Sequence, residues 1–570
     1  MQTRVIPIKA QASSSERKRQ APKGRRVEPQ ALAAVSQLLG PAARRRDLLI
    51  EYLHLIQDAF GQLSTDHLAA LAQAMGLAQA EVYEVASFYH HFDLVRQGEP
   101  GPPSLTVRVC DGLSCEMAGA KDLLAQLPAL LGAEVRVLAA PCVGRCEQAP
   151  AVVVGQCAVA QATLPAVLSQ VAAGQVTAAS EPAVDFASYQ HSGGYALARA
   201  CQVGQHGVES VLQTLDDSGL RGLGGAGFPA GRKWRIVRAE AAPRLMAVNI
   251  DEGEPGTFKD RVLLERDPHR FLEGLLIAAW AVGIDAVYIY LRDEYHGCRA
   301  LLQQALADLR TLAPELQLPT IELRRGAGAY ICGEESAMIE SIEGKRGLPR
   351  LRPPYVAQVG LFGRPTLEHN FETLFWVREL LEKGGAWFNA QGRRGRKGLR
   401  SFSVSGRVNH PGVKLAPAGI TVQELIDEHC AGMLPGHRLY AYLPGGASGG
   451  ILPASLNQIP LDFDTLQPYG CFIGSAAVIV LSQHDTAMAA ARNMMRFFRH
   501  ESCGQCTPCR NGTAKAVDLI EQPTWDLPLL ADLSAVMRDA SICGLGQAAP
   551  NPVDCVIKYF AHELVAGAQP

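Results

Sequence analysis

The sequence predicts a multidomain α/β protein, and three observations support that fold class. At 570 residues the chain exceeds what one hydrophobic core usually supports, so several units of about 100 to 200 residues are expected. Amphipathic helical patterns alternate with strand-like segments, and two separate sets of closely spaced cysteines mark different units. The 48% hydrophobic and 19% charged composition is typical of a globular protein, and a net charge of −2 gives no general attraction to nucleic acid or membranes.

The first segment, residues 1–35, is predicted to be a basic, disordered tail. Its first thirty residues contain many Lys and Arg, few Glu and almost no periodic apolar residues. A docking arm for an acidic partner subunit is the alternative interpretation. Arg25-Arg26 is not followed by a hydrophobic core segment, so an export signal is not expected.

The cysteine content predicts a cytoplasmic protein. Of the 15 cysteines, eight fall in two clustered sets, which does not resemble a secreted disulfide framework. Cluster ligands must stay thiolates, and a reducing cytoplasm provides this. No apolar stretch is long enough to span a bilayer, so a soluble protein is expected.

Residues 36–98 are predicted to form a helical bundle. Leu49, Leu53 and Ile56 fall on one helical face, and two further helical patterns follow before residue 90. His90 and His91 come directly afterwards. We interpret them as a partly buried helix end rather than a metal site, because no partner ligand is nearby in sequence.

Residues 99–173 read as strand, helix, strand, strand, with cysteines at the strand ends. Cys110 and Cys115 are spaced C-x4-C, and Cys142 and Cys146 are spaced C-x3-C. This is the pattern of a thioredoxin-like 2Fe-2S domain, in which two loops each offer two sulfurs. A zinc site is the alternative, although structural zinc sites usually use C-x2-C pairs or include histidine.

Residues 174–193, rich in Ala, Ser, Gly and Pro, are predicted to be a linker to a unit spanning 194–395. That unit opens with a glycine loop in which Gly222, Gly224 and Gly227 satisfy G-x-G-x-x-G. Missing side chains let backbone amides approach an anionic group, and Lys233 adds a positive charge for phosphate or flavin. The glycine pattern alone would fit a tight turn or a generic nucleotide site.

Two further segments of this unit carry polar groups that could line a nucleotide pocket. After the strand-like LMAV come four residues that could accept hydrogen bonds from ribose or a flavin edge, although a solvated acidic turn is the alternative. They are Asn249, Asp251, Glu252 and Glu254. A later segment combines acids, glycine, arginine and aromatic residues: Tyr330, Gly333, Glu334, Glu335, Arg352 and Tyr355.

The C-terminal third divides into a β-rich region, residues 396–482, and a helical unit, residues 483–570. The β-rich region contains YLPGGASGG, whose glycines we interpret as shaping turns rather than as a phosphate site. In the helical unit, Cys503, Cys506 and Cys509 form C-x2-C-x2-C, and Cys543 follows later. Three close thiolates and one distant thiolate favour a 4Fe-4S cluster, with zinc as the alternative.

The stretch from Gly219 to Thr373 closely resembles the NADH-binding, FMN-carrying subunit of respiratory complex I and its relatives in NAD-linked hydrogenases and formate dehydrogenases. With the cysteine sets included, the resemblance covers about residues 44–560. The fused 2Fe-2S unit and the wording YLPGGASGGILP look most like the β subunit of NAD-dependent, pterin-metal formate dehydrogenases. The resemblance also implies that the β-rich region is a β-grasp (SLBB-like) domain and that the flavin unit is Rossmann-like.

The resemblance implies roles residue by residue. The FMN loop would be Gly222, Gly224, Gly225, Gly227 and Lys233. Asn249, Asp251 and Glu254 would hold the flavin ring and ribityl chain, with Glu252 beside them, and Tyr330 and Gly333 would lie near the isoalloxazine. Phe228, Arg352 and Tyr355 would contact the nicotinamide cofactor. Glu334 and Glu335 would orient and electrostatically tune the nicotinamide and flavin.

One departure from the family pattern concerns a second phosphate contact. Relatives typically read T-x-x-N-N-x-E-T there, whereas this chain has Thr366, His369, Asn370 and Thr373 at the corresponding positions. His369 replaces the first asparagine. An imidazole can still donate one hydrogen bond to phosphate.

The implied cofactors are FMN, NAD(H), one 4Fe-4S cluster and one 2Fe-2S cluster. NADH gives two electrons as a hydride and iron-sulfur clusters accept one at a time, so a flavin, which does both, must lie between them. The leading hypothesis is the diaphorase subunit of a formate dehydrogenase, whose partner is a molybdenum- or tungsten-pterin α subunit. The alternatives are the equivalent subunit of a hydrogenase or complex I-type enzyme, and a non-catalytic iron-sulfur or zinc scaffold.

Overall fold

A computed structural model describes residues 24–41, 44–178, 180 and 182–564. Most of the predicted basic tail, residues 1–23, lies outside the described residues. The tail prediction is wrong at its C-terminal end, because helix α1 (Pro29–Leu39) begins inside the range 1–35. Pro29 stands at the first helical position, where its missing N–H is no loss and its fixed φ suits the helix.

The N-terminal unit is a small helical bundle, as predicted. Ser64 caps the third helix by accepting a hydrogen bond from the His67 N–H, and Gly61 and Gly76 end the second and third helices in the left-handed conformation. Two short strands pair in parallel beside the helices. Its elements are α1, α2 (Leu49–Phe60), β1 (Leu63–Ser64), α3 (Thr65–Met75), α4 (Gln79–Ala86) and β2 (Leu94–Val95).

The second unit is a four-stranded sheet in the order β4-β3-β5-β6 with helices against it. The first pair of strands is parallel, and the other pairs are antiparallel. Its elements are β3 (Leu105–Cys110), α5 (Leu113–Met117), α6 (Ala120–Leu131), β4 (Val135–Ala140), β5 (Val152–Val154), β6 (Cys157–Val159) and α7 (Leu164–Ala172). The predicted linker 174–193 is not wholly irregular, because helix α8 (Phe186–His191) lies inside it, capped by Asp185.

The third unit contains a fully parallel sheet in the order β10-β7-β8-β9. Its strands are β7 (Arg244–Ile250), β8 (Ile284–Leu291), β9 (Thr320–Arg325) and β10 (Thr366–Asn370). Its helices are α9 (Ala196–Gln202), α10 (Val208–Ser218), α11 (Ala230–Ala239), α12 (Lys259–Arg266), α13 (Pro268–Val282), α14 (His296–Leu312), α15 (Glu335–Ile342), α16 (Phe371–Phe375), α17 (Val377–Lys383) and α18 (Gly385–Asn389). Helix α13 is buried almost throughout, because it packs between α9, α11 and α16.

The fourth unit is a mixed five-stranded sheet in the order β12-β11-β15-β13-β14. Its elements are β11 (Leu399–Gly406), β12 (Gly412–Pro417), α19 (Val422–Glu424), β13 (Leu439–Leu443), β14 (Leu452–Pro453) and β15 (Ala477–Ser482). The last unit consists of helices α20 (Ala487–Glu501), α21 (Thr507–Ile520), α22 (Leu527–Ala540), α23 (Gly544–Ala548) and α24 (Asn551–Tyr559).

The units share their cores. One apolar cluster runs from the N-terminal bundle through β11, β13 and β15 into the C-terminal helices, and a second surrounds α13. This architecture confirms the predicted multidomain α/β fold class, while the exact unit boundaries stay predictions. Among the described helices, none is both long and apolar enough to cross a membrane.

Candidate active site

A cavity of about 440 Å³ opens at the carboxyl ends of β7 and β10. These strands pair in register, so that Asn249 at the end of β7 faces Asn370 at the end of β10. The chain leaves β7 toward β8 on one side and returns as β10 on the other. Ligands of parallel α/β sheets bind at such a switch point, outside the carboxyl ends of the strands.

Most of the residues singled out in the sequence line this cavity. They are Gly222, Gly224, Gly225, Gly227, Phe228, Lys233, Asn249, Asp251, Glu252, Glu254, Tyr330, Gly333, Glu334, Glu335, Arg352, His369 and Asn370. They come from four separated segments of one unit. The resemblance therefore brought together residues that are also neighbours in space.

Three predicted site residues do not line the cavity. The Thr373 hydroxyl accepts the Leu223 N–H at 3.0 Å and so supports the glycine loop from behind. The Thr366 hydroxyl is buried, accepts the Leu361 N–H at 2.9 Å and holds a turn. Tyr355 is 58% exposed and stands away from the cavity wall.

The glycine loop leaves space along one wall of the cavity. Gly225 has φ +125° and Gly227 has φ +66°, conformations that side chains strain. A Cβ on Gly224 would approach the Asn370 Cβ to 2.9 Å. Helix α11 begins directly after the loop at Ala230, whose N–H donates to the Leu220 carbonyl at 2.9 Å, and Lys233 in its first turn lines the cavity.

Lys233 supplies the positive charge expected beside this loop. Its Nζ donates to the Glu368 carbonyl at 3.0 Å and lies 3.4 Å from the Glu368 carboxylate. Burial and the nearby Glu368 raise the pKa of Glu335, which also lines the cavity. Carboxylates and one lysine thus share this wall.

His369 occupies a buried position behind the loop. The Trp234 indole Nε1 donates a 2.6 Å hydrogen bond to its Nε2. Indole N–H is only a donor, so Nε2 must accept and Nδ1 must carry the ring proton. Burial, with a smaller contribution from Lys233, holds the pKa of His369 well below its usual range, so the ring is neutral.

Lys259 is a buried cavity residue that no sequence motif marks. It is 1% exposed, and its Nζ lies 2.7 Å from Asp260 Oδ1 and 3.0 Å from Glu372 Oε2. Burial alone would lower its pKa, but these carboxylates and Glu252 raise it. The segment FKDR stood next to the acidic residues chosen from the sequence, yet nothing in the spacing showed that this lysine turns inward.

Two of the predicted carboxylates are held by the protein. Glu252 accepts hydrogen bonds from the Asp260 N–H at 2.8 Å, the Arg261 N–H at 3.1 Å and the Tyr295 hydroxyl at 2.9 Å. It therefore caps the start of α12. Glu334 caps α15, because its Oε2 accepts the Ser336 and Ala337 N–H groups at 2.9 Å.

Glu254 joins the third and fourth units. It accepts the Tyr330 hydroxyl on one side and the Ser448 N–H, at 2.7 Å, on the other. Ser448 belongs to YLPGGASGG and lines the cavity together with Gly474 and Ser475. The β-rich unit therefore supplies a wall of the site, which the glycine pattern did not reveal.

At the exposed edge of the cavity, Arg352 pairs with Glu334 and Glu335, the two acids expected to orient the nicotinamide and flavin. Its Nη2 lies 2.5 Å from Glu334 Oε1 and 2.7 Å from Glu335 Oε1. The arginine is partly exposed, so screening by water keeps these pairs weak. They hold the two acids beside each other at the solvent-exposed edge of the cavity.

The unpaired carboxyl group of Asp251 indicates what kind of cofactor fits this cavity. Its Oδ2 is buried and has no hydrogen-bond partner among the described residues, and burial raises its pKa well above the usual range. Buried polar atoms are nearly always paired, so an unpaired carboxyl on a cavity wall matches a ligand that donates a hydrogen bond. Because the glycine loop and Lys233 line the same cavity, the donor set suits a phosphorylated, polar-edged cofactor such as FMN.

The C-terminal cysteine set gathers beside the cavity. Cys503, Cys506, Cys509 and Cys543 line one small pocket. Cys506 precedes α21 and Cys543 precedes α23, so helix starts bring the sulfurs together. Ile331 and Leu545 line both this pocket and the larger cavity, which makes the two sites immediate neighbours.

The second cysteine set also comes together. Cys142 and Cys146 have sulfurs 3.3 Å apart, and Cys110 neighbours both Cys115 and Cys142. Arg292 fixes this loop to the third unit by donating to the Cys142 carbonyl at 2.8 Å and to the Glu252 carbonyl. This set of thiols therefore docks close to the acidic segment of the cavity.

Family models match four regions of the chain in this order. They describe a thioredoxin-like 2Fe-2S ferredoxin over residues 35–173, the Nuo51 FMN-binding domain over 215–379, an SLBB domain over 401–452, and the NADH-ubiquinone oxidoreductase-F iron-sulfur binding region over 489–567. These matches confirm the predicted 2Fe-2S, FMN and 4Fe-4S cofactors.

Curated relatives of the chain are also NADH dehydrogenase flavoproteins. The mitochondrial NADH dehydrogenase (ubiquinone) flavoprotein 1 of Dictyostelium discoideum is 41% identical over 376 residues, covering 63% of this chain and 78% of the relative. The mitochondrial NADH-ubiquinone oxidoreductase 51 kDa subunit of Neurospora crassa is 39% identical over 63% of this chain and 77% of its own length. The chain belongs to this family of 51 kDa NADH dehydrogenase flavoproteins.

A solved structure extends the likeness over the N-terminal units. One chain of an NAD+-reducing NiFe hydrogenase in its H2-reduced state is 34% identical, with a TM-score of 0.80, and covers 92% of this chain and 93% of its own length. The 51 kDa family member described here is thus an NADH-oxidising or NAD-reducing flavoprotein of the complex I or hydrogenase type. Proteins of this family work in multisubunit complexes with iron-sulfur partners.

Proposed function

We propose that the chain is the diaphorase subunit of an NAD-dependent formate dehydrogenase. It would receive electrons from a molybdenum- or tungsten-pterin α subunit and deliver them, reversibly, to NAD+. The supporting observation is the fusion of a 2Fe-2S unit to the flavin unit, together with the motif YLPGGASGGILP, which looks like that of formate dehydrogenase β subunits. Formate itself would be oxidised in the partner, which would carry the pterin.

The cavity residues would hold FMN in a defined orientation. The glycine loop, the N-terminus of α11 and Lys233 would bind the phosphate, with the His369 Nδ1 proton as a further donor. The unpaired Asp251 carboxyl would meet a polar edge of the cofactor. When bound, FMN exchanges a hydride with NAD(H) and single electrons with iron-sulfur clusters.

The mouth of the cavity would receive the nicotinamide cofactor. Phe228, 37% exposed, and the exposed Tyr355 would offer ring faces, and Arg352 would offer a positive charge to a diphosphate. Arg352 would have to exchange its pairs with Glu334 and Glu335 for that contact. The released carboxylates could then orient the carboxamide, so positioning and electrostatics rather than a nucleophile would be the protein's contribution.

The two cysteine sets would bind the clusters. Cys503, Cys506, Cys509 and Cys543 would ligate the 4Fe-4S cluster, in a pocket that shares Ile331 and Leu545 with the flavin cavity. Cys110, Cys115, Cys142 and Cys146 would ligate the 2Fe-2S cluster. The two sets approach the cavity from different units.

A hydrogenase diaphorase is the second candidate. The observation favouring it is the overlap with the NAD+-reducing hydrogenase chain across 92% of this chain, with a TM-score of 0.80. The chemistry of the chain would be the same, and only the partner would differ: a nickel-iron protein instead of a pterin protein.

Native purification distinguishes the two candidates. We expect the chain to copurify with a pterin-containing subunit and the complex to reduce NAD+ with formate but not with H2. Copurification with a nickel-iron subunit, with H2-dependent NAD+ reduction, would replace the first proposal by the second. A complex that reduces NAD+ with neither donor would contradict both.

A further inference from the structure

Three potential metal ligands meet on the surface between the first and last units. They are His90, which follows α4, and His500 and Glu501, which end α20. One ligating atom from each lies within 4.8 Å of the others, and the two imidazole rings are 4.3 Å apart between centroids. Sequence spacing does not reveal this group, because His90 lies more than four hundred residues before the adjacent pair His500 and Glu501.

Hydrogen bonds to one backbone segment hold two of the three residues, His90 and Glu501, in place. The His90 N–H donates to the Gly328 carbonyl at 3.2 Å. Glu501 Oε2 accepts the Tyr330 N–H at 3.0 Å, and its carboxylate is buried while both histidines are exposed. The segment from Gly328 to Tyr330 thus positions ligands from both units, and solvent can reach them.

Both imidazoles are in the form that binds metals. Each ring keeps some solvent-exposed surface, and partial desolvation, then the neighbouring His500 and His91, lower the pKa of His90. Partial desolvation and Arg499 lower the pKa of His500. Neutral imidazole has a free nitrogen lone pair near pH 7, so no proton has to leave either ring before a cation binds.

We propose that His90, His500 and Glu501 bind a divalent transition cation of the zinc class. Two imidazole nitrogens and one carboxylate oxygen are ligands that zinc accepts, with a water in the fourth tetrahedral position. Ligand atoms about 3.4 Å apart would surround such an ion, so closure from the present spacing needs only small side-chain movements. Ca²⁺ and Mg²⁺ prefer sets made wholly of oxygen, so they fit this group poorly.

The cation would link the helical bundle to the helix that leads to Cys503. His90 contributes from one unit, and His500 and Glu501 contribute from the other. This site uses no residue assigned to FMN, NAD(H) or the clusters. The proposal therefore does not depend on which partner subunit the complex contains.

Zn²⁺ titration of the chelator-treated holoprotein tests the proposal. Calorimetry is performed on preparations whose iron, sulfide and FMN contents have first been measured, so that cluster cysteines are occupied. We expect one equivalent of Zn²⁺ to bind. In H90A and in H500A the affinity should fall at least about 100-fold, since losing only a group that orients a ligand already costs about 10 to 100-fold.

His206→Ala is the matched control, because His206 is an exposed histidine far along the sequence from the group. It should keep the wild-type affinity. Crystals soaked in Zn²⁺ and measured on both sides of the zinc absorption edge give a second readout. An anomalous peak between His90 and His500 supports the site, whereas a peak only at cysteines, or unchanged affinity in H90A, overturns it.

Discussion

The Trp234 indole donates a 2.6 Å hydrogen bond to His369 Nε2, and this contact fixes how the unusual histidine can serve the cavity. With Nε2 accepting, the Nδ1 proton is the only donor the neutral ring has. Relatives typically carry asparagine here, whose amide also offers N–H donors. The departure from the family pattern therefore preserves a hydrogen-bond donor, and Trp234 orients the ring that carries it.

We predict that His369→Ala weakens FMN binding by about 10 to 150-fold. A buried hydrogen bond to a charged phosphate contributes about 1.5 to 3 kcal/mol, and the variant also leaves the Trp234 N–H unpaired. His369→Asn should stay within about tenfold of the wild type, because its amide donates instead. Flavin fluorescence on titrating the apoprotein measures both, and equal affinities for wild type and H369A would contradict the role.

The low pKa of His369 adds a pH criterion. The ring stays neutral well below its usual titration range, so it gains no charge that would attract phosphate more strongly at pH 6 than at pH 8. The same fluorescence titration at both pH values should give the same ratio of FMN affinities, pH 6 to pH 8, for the wild type and H369N. A gain in affinity at pH 6 in the wild type that disappears in H369N would contradict the neutral ring.

Removing the buried charge of Lys259 should strongly lower the free energy of unfolding. Lys259→Met leaves Asp260 and Glu372 facing each other without their cation, and breaking a buried pair in this way costs about 3 to 5 kcal/mol. We expect FMN loss and a lower urea midpoint. Lys121→Met is the control, because Lys121 pairs with Glu116 on the exposed surface and should change stability by less than about 1 kcal/mol. Similar midpoints for K259M and K121M would contradict this account.

Substituting a cysteine of one set should remove the cluster of that set and leave the other cluster in place. Cys543→Ser is expected to remove the 4Fe-4S signal and roughly four of six irons, and Cys110→Ser the 2Fe-2S signal and roughly two. Cys157→Ser should remove neither, because this thiol is partly exposed and donates to the Thr177 carbonyl at 2.9 Å. Iron analysis with low-temperature electron paramagnetic resonance measures all three, and full iron in C543S would exclude that cysteine as a ligand.

Acid should lower the folding stability of the N-terminal bundle, because His54 is protonated more readily in the unfolded chain. Burial lowers its pKa to about 4, and its Nε2 lies 2.8 Å from the Gly326 carbonyl. Below about pH 6.5 His54 binds a proton in the unfolded chain but stays neutral in the folded chain. Folding stability is therefore lost as pH falls from about 6.5 to 4, by about 1.4 kcal/mol per pH unit.

His54→Gln keeps a donor for Gly326 and removes this titration. Hydrogen exchange of α2 amides at pH 7.5, 6 and 5 should therefore accelerate toward acid, after correction for intrinsic rates, less in H54Q than in the wild type. His206→Gln, at an exposed site, should leave the wild-type pH dependence intact. Parallel pH dependences for H54Q and wild type would contradict the assignment.

Much of the site was predictable because short-range patterns carry it. Gly222, Gly224 and Gly227 reveal a loop whose backbone must approach an anion, and the spacing of Cys503, Cys506 and Cys509 reveals a cluster. Strand β7 could be expected from the apolar run LMAV, whereas β10, with the sequence TLEHN, contains no such run. Resemblance then supplied which separated segments meet.

The missed residues depend on contacts between distant segments. Lys259 turns inward only because Glu372 comes beside it from after β10, and Ser448 reaches the cavity only because Glu254 holds its loop there. His90 looked like a plain helix end until the fold brought His500 to it. The early start of α1 was also missed, since charge in the tail outweighed the helical pattern after Pro29.

The most direct measurement of the central claim is an anaerobic titration of the purified chain with NADH, followed by visible absorbance. We predict that the flavin band and the broad iron-sulfur absorbance bleach together, because the cavity and the Cys503 set share Ile331 and Leu545 as walls. A preparation with full flavin and iron contents whose iron-sulfur absorbance stays unchanged while the flavin bleaches would contradict it.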